Sequence, residues 1–220
     1  EMGGRRIAFL TRHGGEHTVP PHLVNYRANI TALKEVGVKK IIATAAVGSL
    51  NTDMKPGDLV ILDQFIDFTK GRPLTFFEGG SRGVVHTDMT TPYCPELSRQ
   101  LKKYGEMPGV KVHPQGVYIC TEGPRFETPA EIKMYGMLGG DLVGMTNVPE
   151  VVLAREKGIC YAATAIVTNF AAGISPTPLS HQEVVEAMET SVAHVRDLLK
   201  SSISGLPRDY ECPCCPSQHD

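Results

Sequence analysis

The sequence predicts an α/β protein with one domain, built as a three-layer sandwich in which helices flank a mixed, mostly parallel central sheet. Two observations carry this prediction. Continuous apolar runs rich in β-branched residues recur along the chain, as in strands that are buried on both faces. Stretches with helical spacing and clear start signals lie between these runs. A chain of 220 residues is long enough for one such domain with a sizeable core.

Six apolar runs are predicted to form the strands of this sheet. They lack the regular polar alternation of a strand with one face in water, so both faces should be buried. In chain order the runs cover residues 6–10, 39–47, 57–67, 110–121, 140–145 and 158–169.

Four helices are predicted from their start and stop signals. The first covers residues 25–36 and ends at Gly37, and residues 128–131 (TPAE) form a capping box with proline at the first helical position. Asn147 precedes a third helix, and residues 180–183 (SHQE) form a second capping box. The last helix carries an apolar stripe that should pack on the sheet, made of Val184, Val185, Met188, Val192, Val195, Leu198 and Leu199.

Composition excludes several classes of partner. The net charge is only −2, and the charged residues form no long runs. The sequence therefore lacks the basic cluster expected of a protein that binds nucleic acid or an anionic membrane. No run approaches the roughly 18 apolar residues of a membrane span, and the first residues lack the apolar core of a signal peptide. We therefore expect a cytoplasmic protein that binds a small molecule.

The cysteines fall into two groups. Three are scattered and should be buried thiols, namely Cys94, Cys120 and Cys160. The other three crowd a tail, residues 205–220, that we expect to lie on the surface of a domain formed by residues 1–204: Cys212, Cys214 and Cys215. These could form disulfides, could bind zinc together with His219, or could have no function.

Polar residues stand at the ends of predicted strands, where ligands bind in open α/β sheets. Arg12 and His13 follow the first strand and could clamp an anion, although a cationic surface turn would look the same. The loop at Gly48 offers backbone amides to phosphate or is a simple tight turn. Thr146 lies at the positive end of a helix dipole, where it could bind an anion or cap the helix.

Two further strand ends offer groups that could recognise a base. Phe126 and Glu127, in a loop with Glu122, place an aromatic face beside carboxylates, although Glu127 could simply lead the next helix. The run of residues 162–167 stops on Thr168 and Asn169, and an uncharged amide is unusual at the end of a buried strand. An anion clamp together with an aromatic, a carboxylate and an amide indicates a ligand that has both a phosphate and a base.

Taken together, these motifs resemble the trimeric nucleoside phosphorylases, the family of the purine nucleoside and methylthioadenosine phosphorylases. The resemblance runs in the family's order over residues 5–200, through RHGGEHTVPPHLVNYRANITALKEVGV, AAVGSL, PGDLVILDQFID, TEGPRFET, GMTNVPEVVLAREKGICYA and TNFAAG. It implies that inorganic phosphate, as co-substrate, attacks the anomeric carbon of a nucleoside and releases the purine and a pentose 1-phosphate. It implies no metal or organic cofactor.

The resemblance also implies roles for individual residues. Phosphate would be held by Arg12, His13, the backbone at Ala46 and the hydroxyl of Thr146. The nucleoside would lie against Met145 at the ribose and Phe126 at the base, with Glu127 and Asn169 on the purine edge. His181 would approach the 5′ group. His86 would come from a neighbouring subunit, which implies a homotrimer or a dimer of trimers. The catalytic residues would be Asn169, Glu127 and His13.

The purine-edge residues favour 6-oxopurines such as hypoxanthine and guanine. A carboxylate at Glu127 can accept from N1–H, while the amide of Asn169 donates toward O6 and N7. Methylthioadenosine phosphorylases typically carry an aspartate at the place of Asn169, an arrangement suited to a 6-amino group. We therefore expect inosine and guanosine as substrates in purine salvage.

Several alternatives stay open. The 5′ preference is undecided, so 5′-methylthioinosine or 5′-methylthioadenosine phosphorolysis remains an alternative. Family members usually begin with another strand and a glycine-rich phosphate loop, and this sequence starts after that point; without that segment, a non-catalytic nucleoside-binding protein is the rival. A nucleoside hydrolase ranks last, since the sequence lacks an aspartate-rich calcium cluster.

Overall fold

The computed structural model describes residues 1–174, 181–207, 212 and 214, and for residues 181–184 and 190 it describes the backbone alone. The strands are β1 Lys40–Ser49, β2 Leu59–Ile61, β3 Gln64–Phe68, β4 Val112–His113, β5 Val117–Thr121, β6 Leu142–Gly144 and β7 Cys160–Phe170. The helices are α1 Tyr26–Glu35, α2 Pro95–Lys103, α3 Pro129–Met137, α4 Glu150–Glu156 and α5 His181–Ser204, with short 3-10 turns at Pro21–Leu23 and Gly80–Arg82.

The strands form one seven-stranded sheet in the order β3-β5-β6-β1-β7-β2-β4. β1 and β7 run parallel through its centre, from Lys40 opposite Cys160 to Ser49 opposite Phe170. The pairs β2–β4, β3–β5 and β5–β6 are also parallel, whereas β1–β6 and β2–β7 are antiparallel. The predicted mixed, mostly parallel sheet is confirmed.

Side chains alternate along β7 between two core layers, because successive residues of a strand point to opposite faces of the sheet. On one face, Tyr161, Ala163, Ala165 and Val167 pack with residues of α1 and α4. On the other face, Cys160, Ala162 and Ile166 pack with Leu97 and Leu101 of α2 and with Val195 and Leu198 of α5. The central strand is therefore buried on both faces, which confirms the predicted three-layer sandwich.

Three of the predicted strands differ from the structure. Residues 6–10 form no strand, and the side chain of Phe9 is 85% exposed. The runs 57–67 and 110–121 each divide into two strands, β2 with β3 and β4 with β5. Both divisions occur at one corner, where the Asp63 carboxylate accepts from the backbone N–H of Gly116 at 3.1 Å. This contact joins residues far apart in sequence, so the local pattern does not reveal it.

The helix signals had mixed outcomes. The capping box at the start of α3 is present, with Glu131 N–H donating to the Thr128 hydroxyl at 3.2 Å and Thr128 N–H donating to the Glu131 carboxylate at 2.8 Å. Asn147 does not cap α4, because Pro149 stands at that position and the Asn147 side chain instead accepts from the Tyr93 hydroxyl at 2.6 Å. The second capping box includes Ser180, which lies outside the described residues. Helix α2 was not predicted.

The apolar stripe of α5 packs on the core beside the sheet with Met188 and with most of its second half, but not along its whole length. Val195 and Leu198 are buried, whereas Val185 and Val192 are 38% and 52% exposed. Part of the predicted surface tail is also buried, since Leu206 is 8% exposed and belongs to the same core layer. In the part of the chain that the structure describes, no helix combines the length and apolar content needed to cross a membrane.

Candidate active site

A cavity of about 610 Å³ opens where β1, β6 and β7 end, and its size suits a small molecule. Eight of the ten residues predicted for the site line it: Arg12, His13, Ala46, Phe126, Glu127, Met145, Thr146 and Asn169. They come from five separate parts of the chain, and those on or just after β1, β6 and β7 meet because these three strands are neighbours in the sheet. The structure thus places the candidate phosphate and purine groups in one cavity.

The cationic group of the cavity is held by a carboxylate that the sequence analysis did not assign to the site. Arg12 donates from Nε and Nη2 to the two carboxylate oxygens of Glu150, at 2.7 and 2.6 Å. Burial works against the charge of Arg12, but the attraction of Glu150 outweighs it and the pKa of Arg12 is raised. Two of its five N–H donors are used by this pair, so others remain for an anion in the cavity.

Glu150 is fixed in turn from the opposite side. It is the first residue of α4, and the buried Tyr161 hydroxyl of β7 donates to its Oε1 at 2.8 Å. Beside the carboxylate, burial raises the pKa of Tyr161 well above its ordinary value. The guanidinium is thereby oriented by a paired and fully hydrogen-bonded carboxylate, which is the condition under which a buried charge is tolerated.

His13 lines the cavity with one of its ring nitrogens engaged by the backbone. Its Nδ1 lies 2.8 Å from the carbonyl oxygen of Val19, which can only accept, so Nδ1 carries the proton. Burial lowers the pKa of His13 below 6.5, and the bond to Val19 offsets this only in part. The ring is therefore neutral near pH 7, with Nε2 able to accept a hydrogen bond from a hydroxyl group of a ligand.

Glu127 is a half-buried carboxylate next to a hydroxyl. It accepts from Thr121 Oγ1 at 2.7 Å, and burial raises its pKa above 4.5 while the Thr121 bond pulls the other way. Phe126, the adjacent residue, is 41% exposed and also lines the cavity. A carboxylate acceptor and an aromatic side chain therefore both line the cavity.

The amide of Asn169 has a defined orientation. Its Nδ2 donates to the carbonyl oxygen of Phe170 at 2.9 Å, and its Oδ1 accepts from the Thr168 hydroxyl at 2.8 Å. A carbonyl needs a donor, so the nitrogen must occupy that side, and its second hydrogen stays available to a ligand. A side chain at Gly48, opposite Asn169, would place Cβ 3.3 Å from this nitrogen. The glycine therefore gives the amide its room.

The remaining two predicted residues are not in the cavity as described. His86 is exposed on a loop away from it. His181 begins α5, but its side chain lies outside the described residues. Helix α5 instead contributes the exposed Val185 and Val192 and the half-buried Met188 of its apolar stripe to the wall of the cavity. The sequence predicts the apolar stripe, but it does not predict that part of the stripe lines the cavity.

Arg72 was missed by the sequence analysis and ties together the loops that carry the site. Its side chain is fully buried and donates to the carbonyl oxygens of Thr121, Glu122 and Val148 at 3.1, 2.7 and 2.7 Å. The first two carbonyls precede Phe126 and Glu127, and the third follows Thr146. One guanidinium thus joins the candidate base-binding and phosphate-binding loops. In the sequence, the only sign of a special role for Arg72 is its position between a glycine and a proline.

The comparison with known proteins gives this architecture a family. A sequence model of the phosphorylase superfamily matches residues 1–204. The chain belongs to the phosphorylase superfamily. It is 62% identical over 211 residues to a probable 6-oxopurine nucleoside phosphorylase of Moorella thermoacetica, covering 96% of this chain and 81% of that relative.

Two further members of the superfamily bear other names. A probable S-methyl-5′-thioinosine phosphorylase of Methanothermobacter thermautotrophicus is 50% identical over 215 residues, which are 97% of this chain and 74% of that relative. The solved structure of a Schistosoma mansoni methylthioadenosine phosphorylase in complex with adenine superposes with a TM-score of 0.84 at 39% identity, covering 89% of this chain and 74% of the other. The predicted family, fold and enzyme class, a phosphorylase that transfers a pentosyl group, are confirmed.

Substitution of Arg72 should cost stability and activity together. Arg72→Ala leaves three carbonyls without their donor, at about 1–3 kcal/mol each, so we expect the free energy of unfolding to fall by about 3 kcal/mol or more. Denaturant unfolding measures this, and nucleoside phosphorolysis should weaken in protein that is still folded.

The matched control for Arg72 is Arg99→Ala. Arg99 is 60% exposed and forms an ion pair with Glu96 on the surface of α2, so its loss should cost less than about 1 kcal/mol. If Arg72→Ala and Arg99→Ala unfold at the same denaturant concentration, Arg72 does not tie the loops together.

Proposed function

We propose that this superfamily member cleaves purine nucleosides with inorganic phosphate, giving the free purine and ribose 1-phosphate, and that it prefers 6-oxopurines such as inosine and guanosine. The observation that carries the proposal is the pairing, in one cavity, of an acceptor carboxylate at Glu127 with a donor amide at Asn169. The paired cation Arg12 lies in the same cavity.

Phosphate is proposed to bind at the end of the cavity formed by Arg12, His13, the backbone at Ala46 and Thr146. Arg12 supplies a fixed positive charge with donors to spare. The Nε2 of neutral His13 can accept from the hydroxyl of a monohydrogen phosphate, and the Thr146 hydroxyl can donate to it. These groups would place the nucleophile beneath a ribose that lies against Met145.

The purine is proposed to lie against Phe126 with its polar edge toward Glu127 and Asn169. A 6-oxopurine offers a donor at N1–H, which matches the Glu127 carboxylate, and acceptors at O6 and N7, which match the second hydrogen of Asn169 Nδ2. A 6-aminopurine offers an acceptor at N1 and a donor at C6. The Glu127 carboxylate would then face another acceptor, and the Asn169 amide nitrogen would face another donor. Leaving such buried groups unpaired costs about 1–3 kcal/mol each.

The same groups suit the charges that develop during the reaction. Breaking the glycosidic bond makes the sugar positive and the departing purine negative. The bound phosphate would stabilise the first charge and the Asn169 amide, donating at N7, the second. In this proposal Asn169, Glu127 and His13 are the catalytic residues, and no metal or organic cofactor takes part in the reaction.

Cleavage of 5′-methylthio nucleosides is the second candidate function. It is favoured by the apolar face of α5, where Val185, Met188 and Val192 line the cavity and could receive a methylthio group. A hydrogen bond from His181 to a 5′-hydroxyl would favour inosine instead. The proposed purine contacts suit 5′-methylthioinosine but not 5′-methylthioadenosine, so 5′-methylthioinosine is the alternative that shares them.

The proposed assembly is a homotrimer or a dimer of trimers. His86 lies on an exposed loop away from the cavity of its own chain, which is the placement expected if it serves a neighbour's site. We propose a cytoplasmic enzyme, with small nucleosides and phosphate as its ligands and without nucleic acid or membrane partners. The low net charge supports the absence of a polyanionic partner.

A substrate panel tests the function directly. Inosine, guanosine, adenosine and both methylthio nucleosides are incubated with and without phosphate, and the free base and sugar phosphate are quantified. We expect phosphate-dependent cleavage with kcat/KM for inosine about tenfold or more above that for adenosine, from the unpaired groups described above. Faster cleavage of methylthioadenosine than of inosine would refute the base preference. Cleavage without phosphate would indicate a hydrolase, and thermal stabilisation without product a binding protein.

Asn169→Asp should remove the hydrogen-bond donor to the purine in a pH-dependent manner. A carboxylate oxygen would replace Nδ2 at 2.9 Å from the Phe170 carbonyl, and two acceptors repel unless the acid is protonated. We expect kcat/KM for inosine to fall at least about tenfold near neutral pH and to recover partly only where the introduced acid is protonated and can donate while Glu127 is still ionised. Steady-state rates against pH measure this.

Asn25→Asp is the control for that change. Asn25 caps α1 away from the cavity, accepting from Ala28 N–H at 3.0 Å, and aspartate caps a helix equally well. Unchanged inosine cleavage in both variants would mean that Asn169 merely ends a strand.

Glu127 should set the acid limit of activity. It must be ionised to accept from N1–H, and burial raises its pKa, so kcat/KM should fall on acidification at a higher pH than for an ordinary glutamate near 4.5. Thr121→Val removes the bond that lowers this pKa and should move the fall to still higher pH, whereas Thr121→Ser should leave it in place. The pH profile of kcat/KM for inosine decides between these outcomes, and identical profiles in Thr121→Val and the parent would contradict the role of Glu127.

A further inference from the structure

Four cysteine sulphurs meet at a place that the phosphorylase reaction does not use. The Sγ atoms of Cys94, Cys160, Cys212 and Cys214 all lie within 4.8 Å of one another. The printed sequence spreads them over more than half of the chain, and the fold brings them together. Among the described cysteines, Cys120 alone stands apart, in the opposite core layer.

Two of these sulphurs are fixed by the core. Cys94 is the residue before α2 and Cys160 is the first residue of β7, and their residues are 1% and 5% exposed. The backbone N–H of Cys94 donates to the carbonyl oxygen of Tyr161 at 2.7 Å, which locks the two positions to each other. They form one rigid half of the cluster.

The other two sulphurs come from the C-terminal tail. Cys212 and Cys214 are half-buried and separated by a single residue, and they pack on the core layer formed by α2, α5 and β7. Cys212 lies 3.3 Å from Cys94, Cys214 lies 3.9 Å from Cys160, and the tail sulphurs lie 2.8 Å apart. Each tail sulphur therefore approaches one core sulphur.

These separations match a tetrahedral metal centre better than a set of disulfides. Zinc bound to four thiolates at about 2.3 Å requires sulphurs about 3.8 Å apart, whereas a disulfide joins its sulphurs at about 2.05 Å and leaves other sulphurs outside the bond. All four sulphurs here are mutual neighbours, and the three distances above are each longer than a disulfide. Of these three pairs, Cys212–Cys214 must open by about 1 Å and Cys94–Cys212 by about 0.5 Å to surround an ion.

We propose that Cys94, Cys160, Cys212 and Cys214 bind one zinc ion as four thiolates, and that the ion fastens the C-terminal tail to α2 and β7. Binding converts four thiols and Zn²⁺ into a tetrathiolate complex and releases four protons to solvent, with no change in oxidation state. Four sulphurs complete the coordination, so His219, a ligand considered from the sequence, is not needed.

The surroundings support thiolate formation. The Sγ of Cys94 lies 3.3 Å from that of Cys212, within hydrogen-bond distance of a second sulphur. Cys94 also stands at the N-terminus of α2, a nine-residue helix whose dipole favours negative charge. A reducing compartment, as proposed for this enzyme, keeps such thiols available to metal.

The test uses the full chain, reduced with a phosphine under argon and stripped of metal by a chelator. Titration with Co²⁺ should give thiolate-to-cobalt charge-transfer absorption and the strong visible bands of tetrahedral coordination, saturating at about one ion per chain. Zn²⁺ should displace the cobalt, protect these four thiols from a disulfide reagent and raise Tm. A reduced chain that takes up neither metal would overturn the proposal.

Single substitutions locate the metal. Cys212→Ala and Cys214→Ala each remove a tail ligand without opening the core, and each should lower cobalt affinity at least about tenfold and change the absorption spectrum. Cys94→Ser should do the same from the core side. Cys120→Ala is the matched control, since Cys120 is buried in the other layer, and it should leave the titration unchanged.

Two results would contradict the site. One is cobalt binding that is equal in the parent and both tail variants. The other is protein purified under argon that contains no zinc and has a disulfide between any two of the four cysteines. Because the readouts are metal content, spectrum and Tm, they are independent of whether the phosphorolysis proposal is correct.

Discussion

The parallel pairing of β1 with β7 is the contact on which the rest of this structure depends. It runs from Lys40–Cys160 to Ser49–Phe170, and its small side chains allow helices to cover both faces. Near the ends of both strands the register shifts between Val47 and Gly48, opposite Asn169. The cavity opens there, so the strand pair that organises the core also presents the amide proposed to contact the purine.

A second constraint is the burial of charge beside the cavity. Arg12 and Glu150 are 138 residues apart in the sequence, and Tyr161 joins them to β7. Such a pair adds little net stability, yet loss of one partner leaves an uncompensated charge that costs about 3–5 kcal/mol. Its value is geometric, because a guanidinium held on two sides can meet an anion without reorganising. Together with Arg72, it makes the polar wall of the cavity rigid before any ligand arrives.

Much of the fold follows from local sequence, and much of the site does not. Continuous apolar runs predict β1 and β7 because burial on both faces leaves no room for polar alternation, and the capping box predicts α3. The corner at Asp63 depends on a distant partner, Gly116, and no local pattern encodes it. Asn169 could be singled out by its chemistry, but its orientation comes from its neighbours in space. Arg72 was not predicted, because its three acceptors lie in two loops far away in sequence.

The length of β7 has a consequence for how this protein can be altered. Cys160 begins the strand and Asn169 stands near its other end, nine residues and therefore about 30 Å farther along. One rigid strand thus fixes the distance between the cysteine cluster and the residue proposed to contact the purine. A spectroscopic label or an engineered tether placed at the cysteine end would sit at a fixed, known distance from the cavity. It could then report on events there without competing for the same space.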